Sequence, residues 1–500
     1  MNPINDPVGQ LATRFERRIA LIDADSAEQW SYQDLHRQVQ NWCGFLKAKG
    51  LQSGQVVVWI TRNRIDFFAA LFAAQKTGVV LLPLNWRESL SVQVSILKLA
   101  SPSLIIYEHL FQDASIHLQR LTGTQSVDVA DVVTQNWPAA SLPKQPSDVP
   151  WYLIFTSGTT GVPKAVINTW DMHEANVRNV ASRVALSEQD QTLSILPQYH
   201  TAGINLFALP VLMNGGSVRV YAEADPDKLL DDLKNTPINL ILLVPTLLQK
   251  LADTAGFTEL PQHRSAFKLF ASGGAPLSHS LWQQWQATGF VIQNGCGLTE
   301  SGPTLFLQTY EEAENQPCAI GNPVPNTDVR LVGPDHQDVE PGEPGEIWIR
   351  GDAVTLGYWR NSKANSMAFV GEWFRTGDIA RREHDQFTLV DRMSDMYICG
   401  GENVFPNEVE DVLLHFRGVE EVVVLGEPHP LWGETGVAFV VQTPGYFLKA
   451  DDLQTFCRTR LARYKVPTRI EFVDELPKTA TGKIRRGIVL NWVRPEQYSQ

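Results

Sequence analysis

Residues 155–166 read Phe155-Thr156-Ser157-Gly158-Thr159-Thr160-Gly161-Val162-Pro163-Lys164-Ala165-Val166. They follow Trp151-Tyr152-Leu153-Ile154, an apolar run that reads as a buried strand. Four hydroxyl side chains (Thr156, Ser157, Thr159, Thr160), Gly158, Gly161 and Lys164 then crowd into one loop. Small residues let backbone N–H groups approach a polyanion, the hydroxyls can donate to phosphate oxygens, and the lysine adds a point charge. A surface turn shares this composition, but here a lysine closes the loop. A Walker A loop needs lysine directly after its second glycine, then a hydroxyl. Here Val162 and Pro163 intervene and Ala165 follows, which argues against an ordinary P-loop nucleotidase.

Outward from this loop, 500 residues are too many for one compact core and suggest about three structural units. Hydrophobic residues make up 43% and charged residues 19%, as in a soluble globular enzyme. A net charge of −13 argues against a nucleic-acid partner. Cys43, Cys296, Cys318, Cys399 and Cys457 are scattered without a close pair, which suits reduced thiols in a cytoplasmic protein. The N-terminus lacks the basic and apolar regions of a signal peptide, and no apolar run reaches membrane-span length.

From about residue 20 to 250, helices alternate with short apolar strands. Ser31 to Leu35 opens a capped helix, Gln55–Ile60 reads as a strand, Asp66–Lys76 as a helix and Val79–Leu84 as a strand. Ile238–Val244, Phe267–Ala271 and Gly289–Gln293 read as further strands. This alternation predicts an α/β fold with parallel sheets covered on both faces. After about 315, dense Gly and Pro and short alternating strands predict a β-rich subdomain. The final hundred residues (helix 404–416, strands 419–425 and 438–442, helix 450–461) predict a compact α+β domain.

Other stretches carry chemistry. Asn294-Gly295-Cys296-Gly297-Leu298-Thr299-Glu300 has glycines for a tight bend near a ligand, and its carboxylate suits a hard cation; a helix N-cap would also use Thr and Glu. Ser272-Gly273-Gly274-Ala275-Pro276 could let a flat base lie against backbone, or be a plain strand-to-helix turn. Asp378 follows a turn glycine and could accept two ribose hydroxyls, or be a solvated turn residue. Arg392, in Asp391-Arg392-Met393-Ser394-Asp395, could pair with phosphate or ribose, or sit in a surface ion pair. Lys478-Thr479-Ala480-Thr481-Gly482-Lys483-Ile484-Arg485-Arg486 is a basic loop on an acidic chain, and is either a solvated charge run or a carrier of a catalytic lysine.

Taken together, in this order and spacing, these stretches closely resemble the adenylate-forming superfamily of acyl-CoA synthetases, adenylation domains and firefly-type luciferases. The resemblance implies a large N-terminal domain of parallel α/β sheets with a β-rich subdomain (1–391), a small mobile α+β C-terminal domain (392–500), and an active site between them. It also implies ATP, Mg2+ and CoA as cofactors. Thr156, Ser157, Gly158, Thr159, Thr160 and Lys164 would grip pyrophosphate. Gly273, Gly274, Ala275, Asn294, Gly295 and Cys296 would form the adenine site. Thr299 would contact the α-phosphate, Glu300 the magnesium, and Asp378 and Arg392 the ribose. Lys483 would bridge the carboxylate and α-phosphate oxygens. Gly400 and Gly401 would turn toward the pantetheine channel after domain rotation.

Two positions depart from the family pattern: Cys296 stands where an aromatic usually stacks on adenine, and Ser394 at a hinge usually held by Asp or Lys. The stretch Leu196-Pro197-Gln198-Tyr199-His200-Thr201-Ala202-Gly203 is similar to the acyl- and aryl-CoA ligase branch, in which His200 would line the acyl channel. The implied activity is an AMP-forming carboxylate–CoA ligase. Ile204, Asn205, Phe207, Ala271, Gly297, Leu298 and Pro303 join His200 as pocket candidates. Being mainly uncharged and apolar, they point to an aromatic or medium-to-long aliphatic carboxylic acid. An acyl carrier protein could replace CoA as acceptor, and a homodimer is a candidate assembly. A different-class alternative is a non-catalytic acyl-nucleotide-binding protein.

Overall fold

The computed structural model describes residues 6–156, 163–317, 319–383, 386–479 and 482–493. The chain divides into two compact units, one of residues 1–328 with 349–374, the other of residues 329–348 with 375–500.

The first unit carries two sheets built largely by the expected alternation. One has six strands in the order 126–128, 104–107, 56–60, 80–83, 150–156, 164–169. The other has eight, in the order 306–307, 293–296, 269–272, 240–243, 191–194, 217–220, 19–23, 29–31. Val56–Ile60 is buried along its whole length, as a strand covered on both faces must be. The helix Tyr32–Ala48 starts where Ser31 and Asp34 cap each other's backbone N–H groups. Its inward face carries Trp42, which meets Trp59 of the adjoining strand at 5.4 Å between ring centroids. The helix Asp66–Thr77 ends at Gly78, whose φ of 77° an L-residue adopts only under strain. Among the described residues no helix is long and apolar enough to cross a membrane.

One strand lies elsewhere than expected. Phe290, Val291 and Ile292 are buried core residues, but the strand itself is Gln293–Cys296. Its first half pairs in parallel with 271–272, and Gly295 and Cys296 pair antiparallel with Leu307 and Phe306. The residues expected to bend after a strand thus form one. A Cβ on Gly295 would come within 3.0 Å of the Phe306 carbonyl oxygen, so close backbone approach accounts for that glycine.

Buried within this unit is His173, on the helix Trp170–Arg183. Its ring lies 5.7 Å from that of Trp151 and 5.1 Å from that of Trp170, and neither ring nitrogen has a hydrogen-bond partner. Burial pushes its pKa down to about 3, from 6.5. The folded imidazole therefore stays neutral while the unfolded one takes up a proton below about 6.5. The stability this confers is complete above that pH and is lost as pH falls toward 3, by roughly 1.4 kcal/mol per pH unit. Denaturant melts at stepped pH should show a shallower acid slope for His173→Phe than for the parent. Identical slopes would remove His173 as the titrating group.

In the second unit, strands 402–404, 397–399, 433–442 and 419–429 adjoin in that order, and 469–472 pairs in parallel with 433–442. Val404, Val409, Leu413, Val424, Ala438, Leu453 and Cys457 are among its core residues. A hairpin running from Asp378 to Arg392 belongs to this unit too, so the compact division does not fall at 391/392. Asp391 is part of the reason, since its carboxylate accepts from the backbone N–H of Asn407 at 2.8 Å. Arg486, read from sequence among the basic residues of a solvated loop, is a correction. Its side chain is only 20% exposed, and it pairs with Glu410 at 2.7 Å and Asp395 at 3.3 Å while donating to the Val424 carbonyl.

Candidate active site

Each unit carries one group of the residues singled out in the sequence. In the first unit, the strands Pro150–Thr156 and Lys164–Thr169 form an antiparallel hairpin whose last pair is Thr156 and Lys164. Ser157, Gly158, Thr159, Thr160, Gly161 and Val162 lie outside the described residues. The segment 355–359 lies along the outer side of this hairpin: Trp359 N–H donates to the Ala165 carbonyl at 2.8 Å, and Ile167 N–H to the Gly357 carbonyl at 3.1 Å. That pairing sets Tyr358 beside the lysine, with Lys164 Nζ 5.0 Å from its ring centroid. The Tyr358 hydroxyl donates to Glu300 Oε1 at 2.8 Å.

Thr299 and Glu300 open a single buried 3-10 turn, and Thr355 N–H donates to the Glu300 carbonyl at 2.8 Å. Gly273 is buried against the Gly295 carbonyl, Gly274 has a φ of 82°, and Ala275 is half-buried. Asn294 is used by the fold itself, its amide donating to the Ala319 carbonyl at 3.1 Å. Cys296 is half-buried at the end of its strand. His200 is exposed and caps the helix Thr201–Asn205, its Nδ1 accepting from Ala202 N–H at 3.3 Å.

The turn before His200 is held by two buried carboxamides. Asn63 donates to the Leu196 carbonyl and accepts from Gln198 N–H, while Gln198 accepts from Arg64 N–H and donates to the Arg64 carbonyl, all at 2.8–3.1 Å. The clasp joins segments that leave the six-stranded and the eight-stranded sheet.

In the second unit, Asp378 and Arg392 face each other across their hairpin and form an ion pair at 3.0 Å. Lys483 stands in a narrow loop fastened by Arg485 N–H to the Pro477 carbonyl and by its own N–H to Thr479 Oγ1. Ala480 and Thr481 of that loop lie outside the described residues. The Lys483 side chain is exposed, yet neighbouring protein displaces part of the solvent around its amine. That crowding lowers its pKa from the ordinary lysine value, the Arg392 charge lowers it further, and Asp378 and Asp395 oppose both. Lys483, distant from both in sequence, is thereby brought within electrostatic reach of Asp378 and Arg392. Gly400 and Gly401 form the two-residue turn between the strands Tyr397–Cys399 and Glu402–Val404, with φ of 61° and 90°. A hairpin of this kind needs positive φ at both positions, which accounts for the glycines without a ligand.

The profile of the AMP-binding enzyme family matches residues 9–359, and that of the AMP-binding enzyme C-terminal domain matches residues 408–483. The chain belongs to the AMP-binding enzyme family. Among relatives, a feruloyl-CoA synthase of Amycolatopsis sp is 34% identical, covering 92% of this chain and 93% of its own. A 2-succinylbenzoate–CoA ligase of Geobacillus sp. is 30% identical over 94% and 93% of the two chains. Among solved structures, ATP-bound MatB from Rhodopseudomonas palustris has a TM-score of 0.90 at 25% identity, covering 97% of this chain and 98% of its own. The o-succinylbenzoate CoA synthetase of Bacillus subtilis, in complex with its acyl-adenylate intermediate, has a TM-score of 0.89 at 26% identity over 98% of each chain.

The donor set in this member of the family suits magnesium carried on a polyphosphate. Glu300 offers a hard oxygen ligand, and no group of three His, Cys, Asp or Glu that could hold a metal exists among the described residues. Magnesium commonly takes one or two protein carboxylates and completes its shell with phosphate and water. Tyr358 was missed in the sequence. The only available signal was an aromatic pair, Tyr358-Trp359, directly after a glycine in a polar stretch.

Proposed function

We infer that these residues divide between them the two half-reactions of one acid–thiol ligase. The chain is an ATP-dependent carboxylate–CoA ligase that works through an acyl-adenylate, releasing AMP and pyrophosphate. In the first half-reaction a carboxylate oxygen attacks the α-phosphorus of ATP, and the bond to the departing pyrophosphate breaks. Two anions must be brought together and held in line, so charge neutralisation and positioning carry the catalysis. Lys164 and Thr156 hold the pyrophosphate end, and Thr299 meets the α-phosphate. Glu300 holds magnesium, which when bound neutralises phosphate charge. Asp378 and Arg392 hold the ribose, and Lys483 donates to the oxygens that gain charge in the transition state. In the second half-reaction the CoA thiolate attacks the acyl carbon, and AMP leaves. A hinge at Ser394 moves the residues that follow it between the two steps, so that one set of substrates meets two sets of groups.

The observation that carries this reading is the meeting of Lys164 and Glu300 at Tyr358, which joins a phosphate-type loop to a metal-type carboxylate. The acid is an aromatic or medium-to-long aliphatic carboxylate. Ile204, Phe207 and Ala271 are buried and apolar, and the relatives include the feruloyl-CoA synthase and an indoleacetate–CoA ligase of Aromatoleum aromaticum. Purified protein should release pyrophosphate from ATP and Mg2+ with hydroxycinnamic, arylacetic or fatty acids, and form the acyl-CoA once CoA is added. Release confined to amino acids or acetate would overturn the acid class, and pyrophosphate release without acyl-CoA formation would overturn the acceptor.

A further inference from the structure

We propose that Tyr358 is a positioning residue for two functional groups at once, orienting the Glu300 carboxylate through its hydroxyl and the Lys164 ammonium through its ring. The inference rests on Glu300 as the magnesium-holding carboxylate and on Lys164 as a phosphate contact. The hydroxyl lies 2.8 Å from Glu300 Oε1, and the ring centroid lies 5.0 Å from Lys164 Nζ. A phenol hydroxyl carries a proton to give and an ionised carboxylate only accepts, so the hydroxyl is the donor of this pair.

The ring has little freedom to be elsewhere. Val166 and Tyr358 form a β-bridge, Tyr358 N–H donates to Asn365 Oδ1 at 2.7 Å, and Thr355 Oγ1 donates to the Ile167 carbonyl at 2.7 Å. Thr355 N–H in turn holds the Glu300 carbonyl. Lysine, ring and carboxylate are therefore pinned to one strand, Lys164–Thr169. A donor that engages one carboxylate oxygen fixes the plane of that group and tempers its charge. Removing such a partner from a metal ligand typically weakens the metal by about 10- to 100-fold. The ring supplies a separate effect, because its negative face attracts the ammonium and holds it on the side of Tyr358.

The two effects separate by substitution. Tyr358→Phe deletes the hydroxyl and keeps the ring; Tyr358→Leu deletes both. Calorimetric titration of ATP, with Mg2+ and then with EDTA, reads them apart. Tyr358→Phe should weaken ATP about tenfold with Mg2+ and leave the EDTA value unchanged. Tyr358→Leu should weaken ATP in EDTA as well, by roughly two- to fivefold. Equal weakening by Tyr358→Phe in both conditions would mean a merely structural role and would overturn the inference. Glu300→Gln is the control on the underlying reading. If it leaves the Mg2+-dependent part of binding intact, the assignment of Glu300 fails and the inference with it. If it abolishes that part while Tyr358→Phe shifts nothing, the inference alone is overturned.

Discussion

Lys483→Ala is expected to slow acyl-adenylate formation by roughly 10²–10³-fold while leaving thioester formation from supplied acyl-adenylate nearly intact. The lysine sits in electrostatic reach of Asp378 and Arg392, the pair assigned to the ribose, and its crowded amine is held by a loop closed at both ends. A cation so placed acts on charge that develops in the transition state, and its loss falls on one half-reaction. Lys478 and Arg485 are the proper controls. Lys478 forms a surface ion pair with Glu421, worth no more than about 1 kcal/mol, and Arg485 is exposed. Their alanine variants should leave both rates within a small factor. Pyrophosphate release and acyl-adenylate consumption, measured separately, decide the matter. Small and parallel effects for all three residues would return Lys483 to the status of a solvated charge.

Arg486→Ala and Glu410→Ala should each destabilise the second unit by about 3 kcal/mol, the lower end of the range for breaking a buried ion pair because Arg486 keeps some exposure. The arginine also meets Asp395, Asn407 and the Val424 carbonyl, and Glu410 also accepts from Val424 N–H at 2.6 Å. Either deletion leaves an opposite charge without its main partner in a poorly solvated place. Hydrogen–deuterium exchange at the amides of Pro406–Leu414 should accelerate roughly 10²-fold in either single variant, following the 1.36 kcal/mol that corresponds to tenfold. The double variant Arg486→Met with Glu410→Leu should exchange more slowly than either single variant, since replacing both partners avoids the orphaned charge. Unchanged exchange in the single variants would show that the pair is dispensable.

What was legible in the sequence was whatever short-range pattern encodes. The Ser31 cap, the buried run at 56–60 and the helix at 66–76 each carry local instructions, and the structure follows them. Of the loop read as phosphate-gripping, the described residues include only its two ends, where Thr156 and Lys164 pair across a hairpin. Long-range pairing was not legible. Nothing in Thr355-Leu356-Gly357-Tyr358 announces that it will line the outer side of a hairpin made some two hundred residues earlier and set a tyrosine between Lys164 and Glu300. Arg486 looked like its neighbours Lys483 and Arg485 for the same reason, since a partner on the helix Pro406–Leu414 has no local signature. The strand at 293–296 was displaced from its expected place because two glycines read as a bend, whereas the chain uses one of them for close approach to the strand beside it.

The paired carboxamides of Asn63 and Gln198 have a consequence for how this chain can change over descent. The Asn63 side chain serves the backbone of Leu196 and Gln198, and the Gln198 side chain serves the backbone of Arg64, so altering either one strands an amide and a carbonyl in a dry place on the opposite segment. Neither position can drift alone. The turn bearing His200 should therefore keep both carboxamides across the lineage, each for the backbone groups it serves. A change of acid preference that required moving His200 would then need new partners for those backbone groups.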